Sequence, residues 1–524
     1  MTRKSLIICL SAIGAIAFIL RTVYPFQAVF GLDFVNFLET DAWNLMMYAK
    51  KLAAMPFLDS INFTIQNNYL FSFMVGTLGR FLPIEIVGAW LPPFIAVAAV
   101  VVVYFIGAAL FNPKVGLLAS LFVAIIPSEF LHRSLLGFAD HHVLEVLLMA
   151  LLVLFLIRSF QSKAVFDKYS IAAGVALFFY MVNWKSGMYL TGGLMVVFGI
   201  ALLAWNVRHK EKWYAHSLAV VLPLVLALAI YLPLGGYREL LFLFPGSQAP
   251  EVTTTKEIAD TLFEATKTRT ISELMPLFAP YGKFDIRVVV TNLHLFALTF
   301  LGGFFFLWKY RKDKSVLFFA IWTVVMLIIT LNERRFLYYL TLPIGILSAL
   351  AVVEVGSRLK GKAFQNAMII AVPLIIISLP LAKAMGTSPQ YLMTNEWHKA
   401  LVWLKDQPGE GAVSAWSDYG HWIQYVTGKP PSYMPGPGGN LIAKVFLSTD
   451  DAEAKRLLDE MNTDYLIVDE FTLARKYQAL VIYAGQGPLP QSRGLAFRLY
   501  YQNKIPSYLK LAYESSTIRI FYYP

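Results

Sequence analysis

Residues 137–160 read GFADHHVLEVLLMALLVLFLIRSF. From Val143 the run is apolar apart from Glu145 near its start and Arg158 and Ser159 near its end. A spanning helix needs about 20 mostly apolar residues, and this run has that character. Asp140, His141 and His142 stand at its entrance. Polar groups at such an edge are costly and tend to be functional. Ten further apolar runs lie roughly at 5–23, 85–110, 115–128, 170–183, 186–206, 216–234, 288–308, 316–331, 336–355 and 364–383. Together they predict a polytopic α-helical membrane protein.

Composition agrees. Of 524 residues, 57% are hydrophobic and only 15% charged, against about 25% charged in soluble domains. A soluble enzyme is excluded, and so is disorder, which needs low hydrophobicity. Aromatic residues at 15% suit belts at the membrane interfaces. The single cysteine, Cys9, lies in the first run and allows no intramolecular disulfide. The net charge of +11 is read as loop charge. There is no basic tail and no nucleic-acid motif, so no nucleic-acid partner is expected.

The first run follows Thr2-Arg3-Lys4 without a clear small-residue cleavage site, so it reads as an uncleaved anchor. With the N-terminus in the cytoplasm, the basic clusters at 3–4, 158–168, 208–212, 309–314 and 358–362, together with Lys114, fall on that side. The short outer loops keep Arg133, Lys185, Arg334 and Arg335. This asymmetry sets the orientation. An odd number of spans then leaves the C-terminal segment outside.

Three stretches do not fit in a bilayer. Residues 24–84 form a long outer loop with an amphipathic piece at Trp43–Leu52, and 235–287 form a second, threonine-rich outer loop. Residues 385–524 alternate helical patterns (Glu396–Lys405, Asp451–Met461) with strand patterns (Tyr465–Val468, Ile518–Tyr523). The expected organisation is a transmembrane domain over 1–384 and a mixed α/β extracytoplasmic domain over 385–524.

Five clusters carry candidate chemistry. Glu39-Thr40-Asp41-Ala42-Trp43 also reads as a helix start, with Asp41 in the first turn. Arg133 through His142 bring an acid and two histidines to a span entrance. This set resembles a hard or borderline metal site, although Asp140 alone would serve as an N-cap. Asp140 and His142 are two apart, so an extended turn is expected if they face the same way. Thr270-Ile271-Ser272-Glu273 lies in the second long loop, where a lone glutamate is ordinarily solvated. In Asn332-Glu333-Arg334-Arg335-Phe336 the arginines either snorkel or hold a phosphate. Trp416-Ser417-Asp418-Tyr419-Gly420-His421-Trp422 suits a strand-to-turn junction or a peptide pocket.

In this order the clusters resemble the catalytic subunit of oligosaccharyltransferase, in its archaeal and bacterial single-subunit forms, over the whole chain. The resemblance implies a GT-C membrane fold of about 11–13 spans. It implies an enzyme that moves an oligosaccharide from a polyprenyl or dolichyl (pyro)phosphate to asparagine of Asn-x-Ser/Thr in an acceptor polypeptide. By the same resemblance Asp41, Asp140, His142 and Glu273 hold Mn²⁺ or Mg²⁺, and Asp41 and Glu273 are catalytic. Arg335 and Arg133 contact the lipid donor's (pyro)phosphate; Trp416, Asp418 and Lys476 bind the acceptor. A monomer in membrane lipid suffices. Two features depart from the family: Ser417 replaces the second tryptophan of W-W-D-x-G, and eleven runs stand against the usual thirteen spans. Asp469, Lys476 and Leu480 match the family's helix motif only loosely.

The implied chemistry has a physical basis. An asparagine amide nitrogen is a poor nucleophile because its lone pair is delocalised into the carbonyl. Carboxylates that bind both amide hydrogens localise that pair. Two rivals remain: a related lipid-linked-sugar transferase with a hydroxyl or glycan acceptor, kept open by Ser417, and a lipid flippase or transporter. The second would place its acids near mid-bilayer, and only Glu145 enters a span. The sequence also shows no inverted repeat.

Overall fold

A computed structural model describes residues 2–162, 167–184, 187–208, 214–236, 276–277, 296–359, 393–434, 440–485 and 491–524. The chain divides into two compact units. One comprises Met1–Val35, Tyr48–Ala249 and Glu273–Pro389; the other comprises Asn36–Met47, Pro250–Ser272 and Gln390–Pro524.

Up to residue 359 the described elements are helical. They are α1 (Arg3–Thr22), α2 (Phe26–Phe30), α3 (Thr40–Ala54), α4 (Phe57–Asn67), α5 (Leu70–Leu78), α6 (Ile84–Leu110), α7 (Pro113–Ile125), α8 (Glu129–His132) and α9 (His142–Gln161). After them come α10 (Lys168–Asn183), α11 (Gly187–Arg208), α12 (Tyr214–Tyr231), α13 (Phe296–Leu307), α14 (Lys314–Asn332) and α15 (Leu337–Arg358). Over their described residues ten of the eleven apolar runs coincide with helices; 288–295 of the run at 288–308 and the whole run at 364–383 lie outside the described residues. Among the described residues, six helices are long and apolar enough to cross a membrane. The segment 24–84, expected as a loop, is largely helical, in α2 to α5.

Local signals explain the boundaries around the functional segment. Asn112 caps α7, accepting from the Lys114 and Val115 amides at 3.0 and 3.1 Å, with Pro113 at the first helical position. At 13 residues, α7 is about 20 Å long, shorter than the roughly 30 Å hydrocarbon core. Pro127 follows closely, and a helix ends readily before a proline.

The innermost helix of this unit is α15. In its apolar window 94% of residues are buried, against 22% for α1. It packs on α7 and α13, while α9 packs on α6 and α10. Apolar helices gain little from water exclusion inside a bilayer, so close contact must hold them. Glycine allows that contact. A Cβ at Gly303 would lie 2.2 Å from the Leu347 carbonyl oxygen, and one at Gly116 would lie 2.5 Å from that of Tyr104.

The second unit is built on a mixed four-stranded sheet of β1 (Ala412–Ser414), β2 (Thr463–Asp469), β3 (Lys510–Glu514) and β4 (Ile518–Tyr522), in the order β1-β2-β4-β3. The β1–β2 pair is parallel; β4 is antiparallel to β2 and β3. A parallel pair needs a crossover. It is supplied by α17 (Gly420–Thr427), α18 (Asn440–Leu447) and α19 (Asp451–Glu460), which follow α16 (Asn395–Lys405). Beyond β2 come α20 (Glu470–Arg475), α21 (Tyr477–Ala484) and α22 (Leu495–Tyr501). The expected helices and strands of this region all form. The short segment Asn36–Met47 belongs to this unit too: Asn36 donates to the Met393 carbonyl at 2.9 Å, and Trp43 packs edge-on against Tyr425 at 5.0 Å.

Candidate active site

The segment between α7 and α9 is held from behind by Arg21. This guanidinium is fully buried in α1. Its Nε donates to Ser134 Oγ at 2.7 Å, and one terminal nitrogen donates to the carbonyls of Ala17 and Ala124 at 3.0 Å each. The Leu136 amide donates back to the Arg21 carbonyl at 2.8 Å, and the Gly137 amide to that of Ala89 at 2.9 Å. Gly137 sits at φ 82°, a left-handed conformation that costs glycine nothing. The chain thereby turns and delivers Asp140 to the start of α9.

Asp140 Oδ1 accepts from the His141 amide at 2.6 Å and lies 2.5 Å from His141 Nδ1. Asp140 Oδ2 faces His142 Nε2 at 3.2 Å. Glu145 closes the ring: its Oε1 lies 3.0 Å from His141 Nε2 and 3.1 Å from His142 Nδ1. The expected extended turn does not occur. His141 is in the right-handed helical region, at φ −69° and ψ −17°. The contact is made instead because Asp140 precedes the helix and the His142 ring reaches back to it. Glu145 Oε2 accepts from the Tyr338 and Tyr339 hydroxyls at 3.0 and 2.6 Å, and Tyr339 meets the Tyr180 hydroxyl at 2.5 Å.

The electrostatics follow from burial and pairing. Burial pushes the Asp140 carboxyl up, but His142 and His141 outweigh it and hold the group well below the usual carboxylate range. Burial pulls His141 down, yet Asp140 and Glu145 together raise it well above an ordinary histidine. Asp140, His141 and His142 each offer a ligand atom within 4.8 Å of the others. The donor set fits a divalent ion. Two cis ligands at 2.0–2.1 Å in an octahedral site stand about 3.0 Å apart, close to the Oδ2–Nε2 spacing.

A basic group lies beside this ring. Arg133 is buried, with its guanidinium over the rings of Phe138 and Tyr338 at 5.9 and 5.6 Å and Nε 3.5 Å from Glu129 Oε2. Arg334 reaches Glu129 Oε1 at 3.0 Å. Burial raises the Glu129 carboxyl, but Arg133 and Arg334 together lower it below its ordinary value. Two arginines on one glutamate leave a net positive charge of one. Arg335, the residue expected from sequence, pairs with Glu333 at 2.9 Å and stacks over Phe336 at 5.1 Å. Sequence reasoning quoted Arg334 beside Arg335 but gave the phosphate contact to Arg335, and it passed over Glu129. It marked Glu145 as the acid inside a span but gave it no role; its three- and four-residue spacing from His142 and His141 was the available signal.

In the second unit Asp41 lies in the first turn of α3, more than half exposed, with Oδ1 3.6 Å from His421 Nε2. Trp416 is buried edge-on against Tyr483 at 5.2 Å. Asp418 pairs with Lys476 at 2.9 Å, so two of the three expected acceptor residues touch. Ser417 is 1% exposed within a one-turn helix. Gly420 leaves no room for a side chain: a Cβ would meet the Tyr433 carbonyl oxygen at 2.2 Å. Tyr419 donates to Asp469 Oδ2 at 3.0 Å. Glu273 lies outside the described residues.

Comparison with known proteins adds independent information. The profile of the family "Oligosaccharyl transferase STT3, N-terminal" matches residues 59–386, and that of the AglB core domain matches 407–472. Dolichyl-phosphooligosaccharide-protein glycotransferase 3 of Archaeoglobus fulgidus is 23% identical over 77% of this chain and 60% of its own length. The chain thus spans about three-fifths of that relative. The solved structure of archaeal oligosaccharyltransferase AglB from the same organism, in complex with an inhibitory peptide and a dolichol-phosphate, superposes with a TM-score of 0.80 at 17% identity. The match covers 97% of this chain and 79% of that one. A structure of the Archaeoglobus fulgidus oligosaccharyltransferase with Zn and sulfate gives 0.71 at 17% identity, over 97% and 79%. The fold is therefore that of a multi-pass GT-C-type membrane protein with a C-terminal unit containing a mixed sheet.

Proposed function

The chain belongs to the oligosaccharyl transferase STT3 family, and we propose that it transfers an oligosaccharide from a polyprenyl or dolichyl (pyro)phosphate to the asparagine amide of Asn-x-Ser/Thr acceptors. One observation carries this reading: Asp140 Oδ2 and His142 Nε2 stand 3.2 Å apart as a ready donor pair, beside the basic group of Arg133 and Arg334. The family assignment supports it, as do the dolichol-phosphate and inhibitory peptide bound by the similar AglB.

In this reading a divalent ion, Mn²⁺ or Mg²⁺, is held by Asp140 and His142 with Asp41 and Glu273. When bound, it neutralises charge on the (pyro)phosphate leaving group. Asp41 and Glu273 accept the two amide hydrogens and localise the nitrogen lone pair. That nitrogen forms a bond to the sugar anomeric carbon as the carbon–oxygen bond to phosphate breaks. The bonding pair leaves with the phosphate, and the amide proton passes to a carboxylate. Arg133, Arg334 and Arg335 receive the anionic oxygens, for which guanidinium geometry is suited. Trp416, Asp418 and Lys476 bind the acceptor. Residues 1–384 form the catalytic domain and 385–524 the acceptor-binding domain. Both the site and the C-terminal domain face the extracytoplasmic side, with the N-terminus cytoplasmic.

Ser417 favours a second reading in one respect, since the acceptor pocket lacks the family's second tryptophan. A single-turnover assay separates the two. Purified chain is mixed with lipid-linked oligosaccharide, Mn²⁺ and a labelled peptide with or without Asn-x-Thr, alongside chelator and Asp41→Ala controls. Glycopeptide formed only with the Asn-x-Thr peptide, and lost in both controls, supports asparagine transfer. Transfer to a hydroxyl-bearing peptide or a glycan supplied in a parallel reaction, with no glycopeptide from Asn-x-Thr, supports the second reading. No transfer to any of these acceptors refutes both.

A further inference from the structure

Glu145 is a carboxylate with 0% exposure, one turn inside an apolar span. A buried charge of this kind costs several kcal/mol unless it is paired and hydrogen-bonded. An apolar side chain would fill the same place without that cost. Glu145 is instead fully occupied. Oε2 accepts two tyrosine hydroxyls from α15, and Oε1 faces one nitrogen of each histidine. An ionised carboxylate only accepts, so the histidine nitrogens that face it carry protons. Glu145 thereby fixes Nδ1 as the donor of His142, which leaves Nε2, the atom beside Asp140 Oδ2, as the one nitrogen that could bind an ion. The Tyr338 ring also lies against the His142 ring, with centroids 5.2 Å apart, so the same residue that anchors the carboxylate limits rotation of the imidazole. His141 differs in spacing. Its Nδ1 lies 2.5 Å from Asp140 Oδ1 and its Nε2 3.0 Å from Glu145 Oε1; the first gap is too short for two adjacent ligands of one ion, whereas the 3.2 Å between His142 Nε2 and Asp140 Oδ2 is close to the roughly 3 Å between such ligands.

The geometry points to Glu145 as a positioning residue: from inside the span, held by Tyr338 and Tyr339, it presents His142 Nε2 beside Asp140 Oδ2 to a divalent ion, while His141 ties the two carboxylates together and is not a ligand. This inference rests on the reading of Asp140 and His142 as ligands. Outer carboxylates of this kind set ring orientation and basicity in metal sites, and their loss typically weakens metal affinity by 10–100-fold.

The test uses the full chain in detergent, titrated with Mn²⁺ alone. Affinity is read by electron paramagnetic resonance, and imidazole nitrogen coupling by electron spin echo modulation. The wild type shows coupling to one imidazole, which disappears in His142→Ala and persists in His141→Ala. Glu145→Gln raises the Mn²⁺ dissociation constant about 10–100-fold and alters the coupling, with the unfolding temperature little changed. Tyr339→Phe keeps the carboxylate but frees one of its anchors, and gives a smaller loss of the same kind. It serves if Glu145→Gln does not fold. A purely structural Glu145 would lower the unfolding temperature and leave the dissociation constant and coupling of the folded fraction alone. That result overturns the inference while the metal reading stands. Coupling that survives in His142→Ala and vanishes in His141→Ala also overturns it. No Mn²⁺ binding by the wild type overturns the metal reading and the inference together.

Discussion

Replacing Asp469 with asparagine is expected to remove a pH dependence of stability that the second unit carries. Asp469 ends β2 and is only 3% exposed. Its Oδ2 accepts from the Thr472 amide at 3.1 Å and the Tyr419 hydroxyl at 3.0 Å. Burial pushes the carboxyl up to about 6 from its ordinary 3.8, against the pull of those hydrogen bonds. The folded chain thus binds this proton more tightly than the unfolded chain does. The stabilisation is whole below about pH 3.8 and is lost as pH rises through about 6. At about 1.4 kcal/mol per tenfold in proton affinity, the loss comes to about 3 kcal/mol. For a domain of this size that is roughly 6–12 °C in unfolding temperature. His421, lowered to about 4 by burial, has the opposite slope: its contribution is lost as pH falls from about 6.5 toward 4. The wild-type curve alone therefore partly cancels, and the informative quantity is the difference between Asp469→Asn and wild type. Asparagine keeps an acceptor for Thr472 and cannot ionise. Heating the full chain in detergent with chelator from pH 4 to 7, and following hydrogen-exchange protection of the β2 peptide, should show the variant gaining on wild type as pH rises. A flat difference, or one of opposite sign, would refute the argument that burial dominates at this carboxyl.

Ser417→Trp is expected to destabilise the second unit by about 1–3 kcal/mol through overpacking, since Ser417 is buried. A lowered unfolding temperature without a gain in acceptor affinity would bear this out. Lys476→Ala removes the partner of Asp418. A several-fold rise in KM for an Asn-x-Thr peptide, with the KM for the lipid donor unchanged, is the expected kinetic split. Gly303→Val forces a side chain onto the Leu347 carbonyl, parting α13 from α15. Monodisperse protein recovered in detergent should fall sharply, and wild-type recovery would refute the close-contact argument.

The spans were legible because a bilayer demands a long apolar run and little else imitates one. Over their described residues ten such runs became helices. The strands β2 and β4 were legible for a related reason: buried apolar residues lay between turn signals. The 24–84 segment was not legible as four helices, because α2 and α5 are too short for a clear 3.6-residue period. At the candidate site the donor pair was visible as an acid and histidines at a span entrance. The ring that holds it was not. Glu145 meets Tyr338 and Tyr339 across more than 190 positions of sequence, and no local pattern reports such a contact. The pairing of Glu129 with Arg334, 205 positions apart, was hidden in the same way.

The contact between Asn36 and Met393 spans 357 positions of sequence, and it has a consequence for synthesis. The segment bearing Asp41 leaves the ribosome early, but the surfaces it packs on are made last. At about 5–20 residues per second, that segment waits roughly 20–70 s before its partners exist. During this interval Trp43 and Phe37 have no second-unit wall to rest against. A chain stalled before residue 393 could not complete the fold around Asp41. The residue proposed to begin the chemistry is thus among the last to reach its native surroundings.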